Sequence, residues 1–110
     1  MLRVSAFYHF ARLEDLPARR AALLAVAGQH RVCGSILLAP EGVNGTIAGK
    51  GDGVQAVLDA LRTLPGLEDL GWKDSTARSQ PFGRMRVRLK REIVTLGQPG
   101  VDPRRRVGTY

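Results

Sequence analysis

The sequence predicts one α+β domain, with two helices lying on one face of a four-stranded antiparallel sheet and elements in the order β-α-β-β-α-β. Three observations lead there. Two windows carry apolar residues at helical spacing, and the segments around them alternate or run apolar as strands do. Clusters of Gly, Pro and Asn separate these windows. Right-handed crossovers leave this order few topologies, and the split βαβ, or ferredoxin-like, sandwich is the commonest. A chain of 110 residues is one domain, and it can bury roughly two thirds of its unfolded surface without metal or disulfide.

The elements follow in turn. Residues 2–10 form a strand in which Leu2, Val4, Ala6 and Tyr8 share one face. Asp15 stands where a helix cap is wanted, and Pro17 falls in the first turn, where a missing N–H costs nothing. That helix runs to about Gln29, burying Leu16, Leu23, Leu24 and Ala27, with Gly28 as its stop signal. Residues 32–39 are a largely apolar strand, and Pro40 to Gly45 reads as the Gly-rich tip of a hairpin that returns through Thr46-Ile47-Ala48. Asp52 is placed to cap a second helix, over about 53–64, with the stripe Val54, Val57, Leu58, Leu61 and Leu64. Pro65-Gly66 ends it. A short extended piece covers 70–75, and 84–90 alternates with perfect period 2, continuing through 93–96. The domain is therefore 1–96, and 97–110, rich in Pro, Gly and Arg, is a linker or tail.

Several function classes drop out. No run approaches the ~20 apolar residues of a membrane helix, and the N-terminus lacks the apolar core of a signal peptide. The single cysteine, Cys33, allows no internal disulfide and suits a reducing compartment, so the cytoplasm is expected. Within an apolar strand Cys33 reads as a small core residue rather than a nucleophile. His9 and His30 have no partners at metal-ligand spacing, so neither metal nor cofactor is expected. Trp72 reads as a packing residue, and the pairs Glu14/Asp15 and Glu68/Asp69 as solvated or capping groups.

Charge is segregated. Residues 1–72 are neutral overall, and the whole net charge of +7 lies in residues 73–110. Clustered cations favour a polyanion because they release counterions condensed on phosphates. Within that region Arg84, Arg86, Arg88 and Lys90 alternate with Met85, Val87 and Leu89. In a strand the apolar set faces the helices and the four cations line the other side, about 7 Å apart. Alternation by itself indicates only a solvated face, but here every outward residue is cationic. Three of them are arginines, whose planar forks suit phosphate. Lys73, Arg78, Arg91 and the run Arg104-Arg105-Arg106 extend the basic region. Aromatic residues are only 5% of the chain, little material for stacking unpaired bases.

The hairpin tip carries a second candidate. Gly42, Asn44 and Gly45 could form an anion-binding turn through backbone N–H groups, or simply supply positive φ for a tight turn. Acylphosphatases, small enzymes of this same fold, have a similar Asx-Gly hairpin, but their phosphate cradle needs a Gly-rich loop ending in Arg after the first strand. That place here holds His9-Phe10-Ala11-Arg12-Leu13-Glu14, without a glycine.

Two long segments resemble one family. Gly34-Ser35-Ile36-Leu37-Leu38-Ala39-Pro40-Glu41-Gly42-Val43-Asn44-Gly45-Thr46-Ile47-Ala48-Gly49 is similar to the "GTILLAxEGINGTxAG" hairpin of the bacterial rhodanese-containing tRNA uridine hydroxylases. Residues 81–97 are similar to their "PFxRMKVRLKKEIVTLG" strand. Val101-Asp102-Pro103 and Val107-Gly108-Thr109-Tyr110 resemble the connector beyond it, and Lys73-Asp74-Ser75 is an imperfect match to a shorter "KES" element. The resemblance implies an acylphosphatase-like N-terminal domain that helps hold tRNA. A rhodanese domain with a catalytic-type cysteine would follow, and the reaction would be oxygen-dependent 5-hydroxylation of the wobble uridine. The sequence stops where that second domain should begin, and Cys33 matches no active-site motif. No catalytic residue is therefore carried onto this chain, and turnover by it alone is not expected. The implied partners are tRNA and the C-terminal rhodanese domain. Two alternatives are a module that docks on that rhodanese domain and a small acyl-phosphate hydrolase.

Overall fold

The computed structural model describes residues 1–90. The expectations for Arg91, the 93–96 continuation, the triple arginine and the 97–110 linker lie outside the described residues.

The elements are β1 (Leu2–Phe10), α1 (Leu16–Gln29), β2 (Cys33–Ala39), β3 (Gly42–Gly49), α2 (Gly51–Arg62), β4 (Trp72–Ala77) and β5 (Met85–Leu89). The sheet runs β4-β1-β3-β2-β5. The expected α+β sandwich is present, but its sheet is five-stranded and mixed. The stretch expected as a short extended piece is the full strand β4, antiparallel to β1, and it takes the place that completes the βαββαβ unit. The alternating segment adds a fifth strand at the opposite edge, parallel to β2. A parallel neighbour requires the chain to cross the sheet first, and residues 78–84 make that crossing.

The α2 stripe anchors the core. Val54, Val57, Leu58 and Leu61 are fully buried in one core with Phe7, Ile36, Leu38, Val43, Ile47 and Val87 of the sheet, α2 lying over β1 and β3 and α1 over β2 and β5. In β1 it is Ser5 and Phe7 that face the helices, so Leu2, Val4, Ala6 and Tyr8 lie on the open face. Gly45 makes room for this: a Cβ there would come 2.9 Å from the Phe7 ring and 2.4 Å from the Ser35 carbonyl.

The helix ends differ from expectation. Asp15 occupies the cap position of α1 in a left-handed conformation (φ 55°) and makes no side-chain cap bond. Asp52 lies inside the first turn of α2, where it complements the helix dipole, and Lys50 holds the cap position. Gly28 does not end α1. The stop is a Schellman motif, in which the Val32 N–H donates to Ala27 (2.9 Å) and the Arg31 N–H to Gly28 (3.4 Å), with Arg31 left-handed at φ 56°. Gly28 is exposed, and a Cβ on it would meet nothing within 4 Å. Arg31→Gly and Gly28→Ala should therefore each stabilise the fold by about 0.5–1 kcal/mol, read as higher urea midpoints at unchanged m. A loss of stability in Arg31→Gly would refute the motif.

The helix-side end of β1 is tied by polar groups. Arg3 donates through Nε to Asp74 Oδ1 (3.0 Å) and through Nη1 to Gln55 Oε1 (2.9 Å), joining β1 to β4 and α2. The buried Ser5 hydroxyl also donates to Asp74. These bonds, from Arg3 first and then Ser5, hold the Asp74 carboxyl below the usual carboxylate range. A depressed folded value stabilises the native state above the unfolded pKa of about 4 and is lost as pH falls through the folded value. Asp74→Asn should lower stability at pH 7 and flatten its decline in acid, measured as urea midpoints from pH 7 to 2.5. Parallel curves for the two proteins would contradict this.

Candidate nucleic-acid interface

Register decides where the β5 cations point. Ile36 pairs with Val87, while Ser35 pairs with Arg86 and Leu37 with Arg88. Partners across a ladder share a face. Val87 therefore sits under the helices with Ile36, at 2% exposure, and Arg86 and Arg88 stand exposed on the open face. Arg84 and Lys90 lie one residue beyond either end of the strand, both exposed. Their backbones are held to β2, Gly34 N–H donating to the Arg84 carbonyl (3.1 Å) and Lys90 N–H to the Leu38 carbonyl (2.8 Å). On the other side, Arg20 of α1 donates Nε to the Val87 carbonyl (2.6 Å). This short edge strand is thus fixed from both flanks.

Lys73 reaches the same face from the far edge. It pairs with Ala6, which pairs with Thr46, Thr46 with Ser35, and Ser35 with Arg86. One row of side chains thus runs across all five strands with a cation at each end, about 19 Å apart at ~4.8 Å per strand. Arg78 is exposed at the start of the 78–84 crossing.

That crossing shapes the open face. Gln80 Nε2 donates to the Ala48 carbonyl of the central strand (3.0 Å), and Gln80 Oε1 accepts from the Phe82 N–H (3.3 Å). Beside it lies a groove of about 720 Å³, lined by Ala6, Tyr8, Ser35, Asn44, Thr46 and Phe82, with Lys73 at its rim. Sequence reading missed this groove. The signal was present in the even-numbered residues of β1 and β3, but using it required knowing which face the helices cover.

The hairpin tip is not where it was expected. Its loop is Pro40-Glu41, and Gly42, Asn44 and Gly45 belong to β3, paired on both sides by β1 and β2. Backbone N–H groups of a doubly paired strand are directed into its ladders, so these residues form no anion-binding turn. Asn44 contributes instead a side chain to the groove.

The acyl-phosphate cradle meets a similar obstacle. In the β1–α1 loop the Ala11 N–H donates to the Glu41 carbonyl (3.0 Å) and the Leu13 N–H to the Pro40 carbonyl (2.9 Å). Two amides that would face an anion are held by the hairpin. Cys33 is half-buried and lies on the open face beside Ala48, not in the core. Trp72 packs against the core as expected, with the Arg62 guanidinium 5.5 Å over its ring. Among the described residues no group of three or more His, Cys, Asp or Glu could hold a metal ion, and no helix is long and apolar enough to cross a membrane. Acyl-phosphate hydrolysis by this chain should stay at the uncatalysed rate, followed with benzoyl phosphate by absorbance. Saturable turnover abolished by Arg12→Ala would overturn that expectation.

Comparison with known proteins agrees with this layout. The profile of the UPF0176 acylphosphatase-like domain matches residues 2–93. A tRNA uridine(34) hydroxylase of Jannaschia sp. (strain CCS1) is 54% identical over 110 residues, all of this chain and 36% of that protein. A tRNA uridine(34) hydroxylase of Gluconobacter oxydans (strain 621H) is 50% identical over 109 residues, 99% of this chain and 35% of that protein. The chain spans about a third of the length of these curated relatives. Among solved structures, an acylphosphatase from Coxiella burnetii superposes with TM-score 0.62 at 13% identity, covering 79% of this chain and 93% of that one. An acylphosphatase from Bacillus subtilis gives TM-score 0.58 at 18% identity, covering 82% of this chain and 99% of that one. These likenesses establish the shared fold.

Proposed function

The chain belongs to the UPF0176 acylphosphatase-like domain family, and from that premise we propose that it is the tRNA-positioning domain of a tRNA uridine-modifying enzyme. The observation that carries this reading is the register of β5, which sets Arg86 and Arg88 side by side on the face the helices leave open. Arginine pairs at strand spacing offer bidentate donors to successive phosphates without reading sequence. Lys73, Arg78, Arg84, Lys90 and Arg91 add longer-range attraction. The names of the relatives support tRNA as the polyanion. The role is to hold the substrate, with the chemistry supplied by the remainder of a longer protein in the cytoplasm. A rhodanese domain there would be the second partner.

Arg86→Ala with Arg88→Ala should weaken tRNA binding by the 110-residue chain. It should also reduce the slope of log K against log salt by about two, since each lost phosphate contact removes close to one counterion. Filter binding at several salt concentrations measures both. An unchanged slope would remove the strand from the interface. Saturable binding of a rhodanese domain to the same arginines, without any to tRNA, would make this a docking module instead.

A further inference from the structure

We infer that the groove on the open face receives one unpaired base of the bound RNA strand, while Lys73 and Arg86, about 19 Å apart at the two ends of its floor, hold phosphates farther along the strand to either side. This rests on the reading of the chain as a tRNA-binding domain and adds the part of the strand that it grips.

The floor is the row Ala6, Thr46 and Ser35, three small side chains in the middle of the sheet. Large residues there would have filled the space, whereas small ones leave a groove of about 720 Å³, within the ~300–1,000 Å³ typical of ligand sites. Its walls are aromatic. Tyr8 stands one row away along β1, and Phe82 of the 78–84 crossing closes another side. Phe10 meets the Tyr8 ring edge-on, centroids 5.0 Å apart and planes at 71°. Tyr8 is 37% exposed and Phe10 58%. The chain has six aromatic residues among Phe, Tyr and Trp, and three of them gather on this one solvated face.

The polar groups in the groove fit a base edge better than an apolar ligand. Asn44 brings a polar amide, and Ser35 and Thr46 bring hydroxyls that can donate or accept. Nucleobases offer a flat π-face and a rim of mixed donors and acceptors, so ring walls with small polar groups match both features. The cations at the ends of the row suit phosphates a few nucleotides apart on the strand that carries such a base.

The test compares two probes on the unmodified 110-residue chain: a five-nucleotide single-stranded oligouridylate and an abasic ribose-phosphate oligomer of the same length. Fluorescence anisotropy at matched salt should show the base-bearing strand bound about tenfold more tightly, the scale of one base–aromatic stack. Tyr8→Ala should erase most of that preference. So should Ser35→Phe, which fills the floor from an exposed position, and both variants should keep the wild-type salt slope. Equal affinity for the two probes, with a normal salt slope, would overturn the base-binding groove while leaving the phosphate stripe intact. Failure of the wild-type chain to bind either probe or tRNA would overturn both readings.

Discussion

Everything on the open face depends on which side of the sheet the two helices cover, and the packing of Phe7 against Gly45 fixes that choice in β1. The even positions of β1 carry Leu2, Val4, Ala6, Tyr8 and Phe10 and the odd positions only Phe7 among apolar residues, so hydrophobicity alone would have turned the other face inward. The ring of Phe7 occupies the volume that a side chain on Gly45 would take. The buried Ser5 hydroxyl on the same side finds Asp74, which removes the penalty of burying it unpaired. With Phe7 inward, strand alternation turns Ala6 and Tyr8 outward. Register then carries that assignment through β3 and β2 to Arg86 and Arg88. A one-residue slip anywhere along this series would place guanidinium groups under α1, which burial of charge forbids.

This dependence explains what was legible in the sequence. The α2 stripe was clear because five apolar residues at helical spacing point to a single solution, and all of them are buried. The β5 stripe was equally clear, since cations and aliphatics do not share a face. β1 was recognisable as a strand, but not which side of it faced inward. The two-strand ending was hidden for another reason. Trp72–Ala77 is mostly polar because it is an edge strand, exposed over most of its length, and edge strands lack the apolar pattern that identifies central ones. At the hairpin, a dense run of Gly and Asn has the composition of a loop but belongs to β3. In β3 glycine serves close approach to a neighbouring side chain, a purpose that composition does not distinguish from a turn.

The helix stop at Arg31 makes the same point at smaller scale. A glycine three residues earlier invited the stop to be placed there, yet the chain leaves α1 through a left-handed arginine. The Schellman hydrogen bonds compensate a conformation that disfavours a side chain by about 1–2 kcal/mol. Local propensity gave way to the position at which β2 must begin in order to pair with β3.

The sheet's edges bear on stability as well as on the proposed function. Exposed edges invite pairing with other chains, and natural proteins blunt them with charge and with covering groups. β5 shows both devices: its flanking residues are cationic, and Arg20 claims the Val87 carbonyl. Charge used only for protection could sit at either parity of the strand. Here it is confined to the open face, in the same row as Lys73 across the sheet, with a polar and aromatic groove between. On the proposed reading, phosphate contacts at the rims would give affinity without discrimination, whereas the middle of the row would meet the stretch of strand between them. In a single strand that stretch presents unpaired bases. In a duplex the bases are turned inward and stacked, out of reach of a groove whose floor is a flat sheet. The same row of side chains would therefore bind both forms through its ends and tell them apart through its centre.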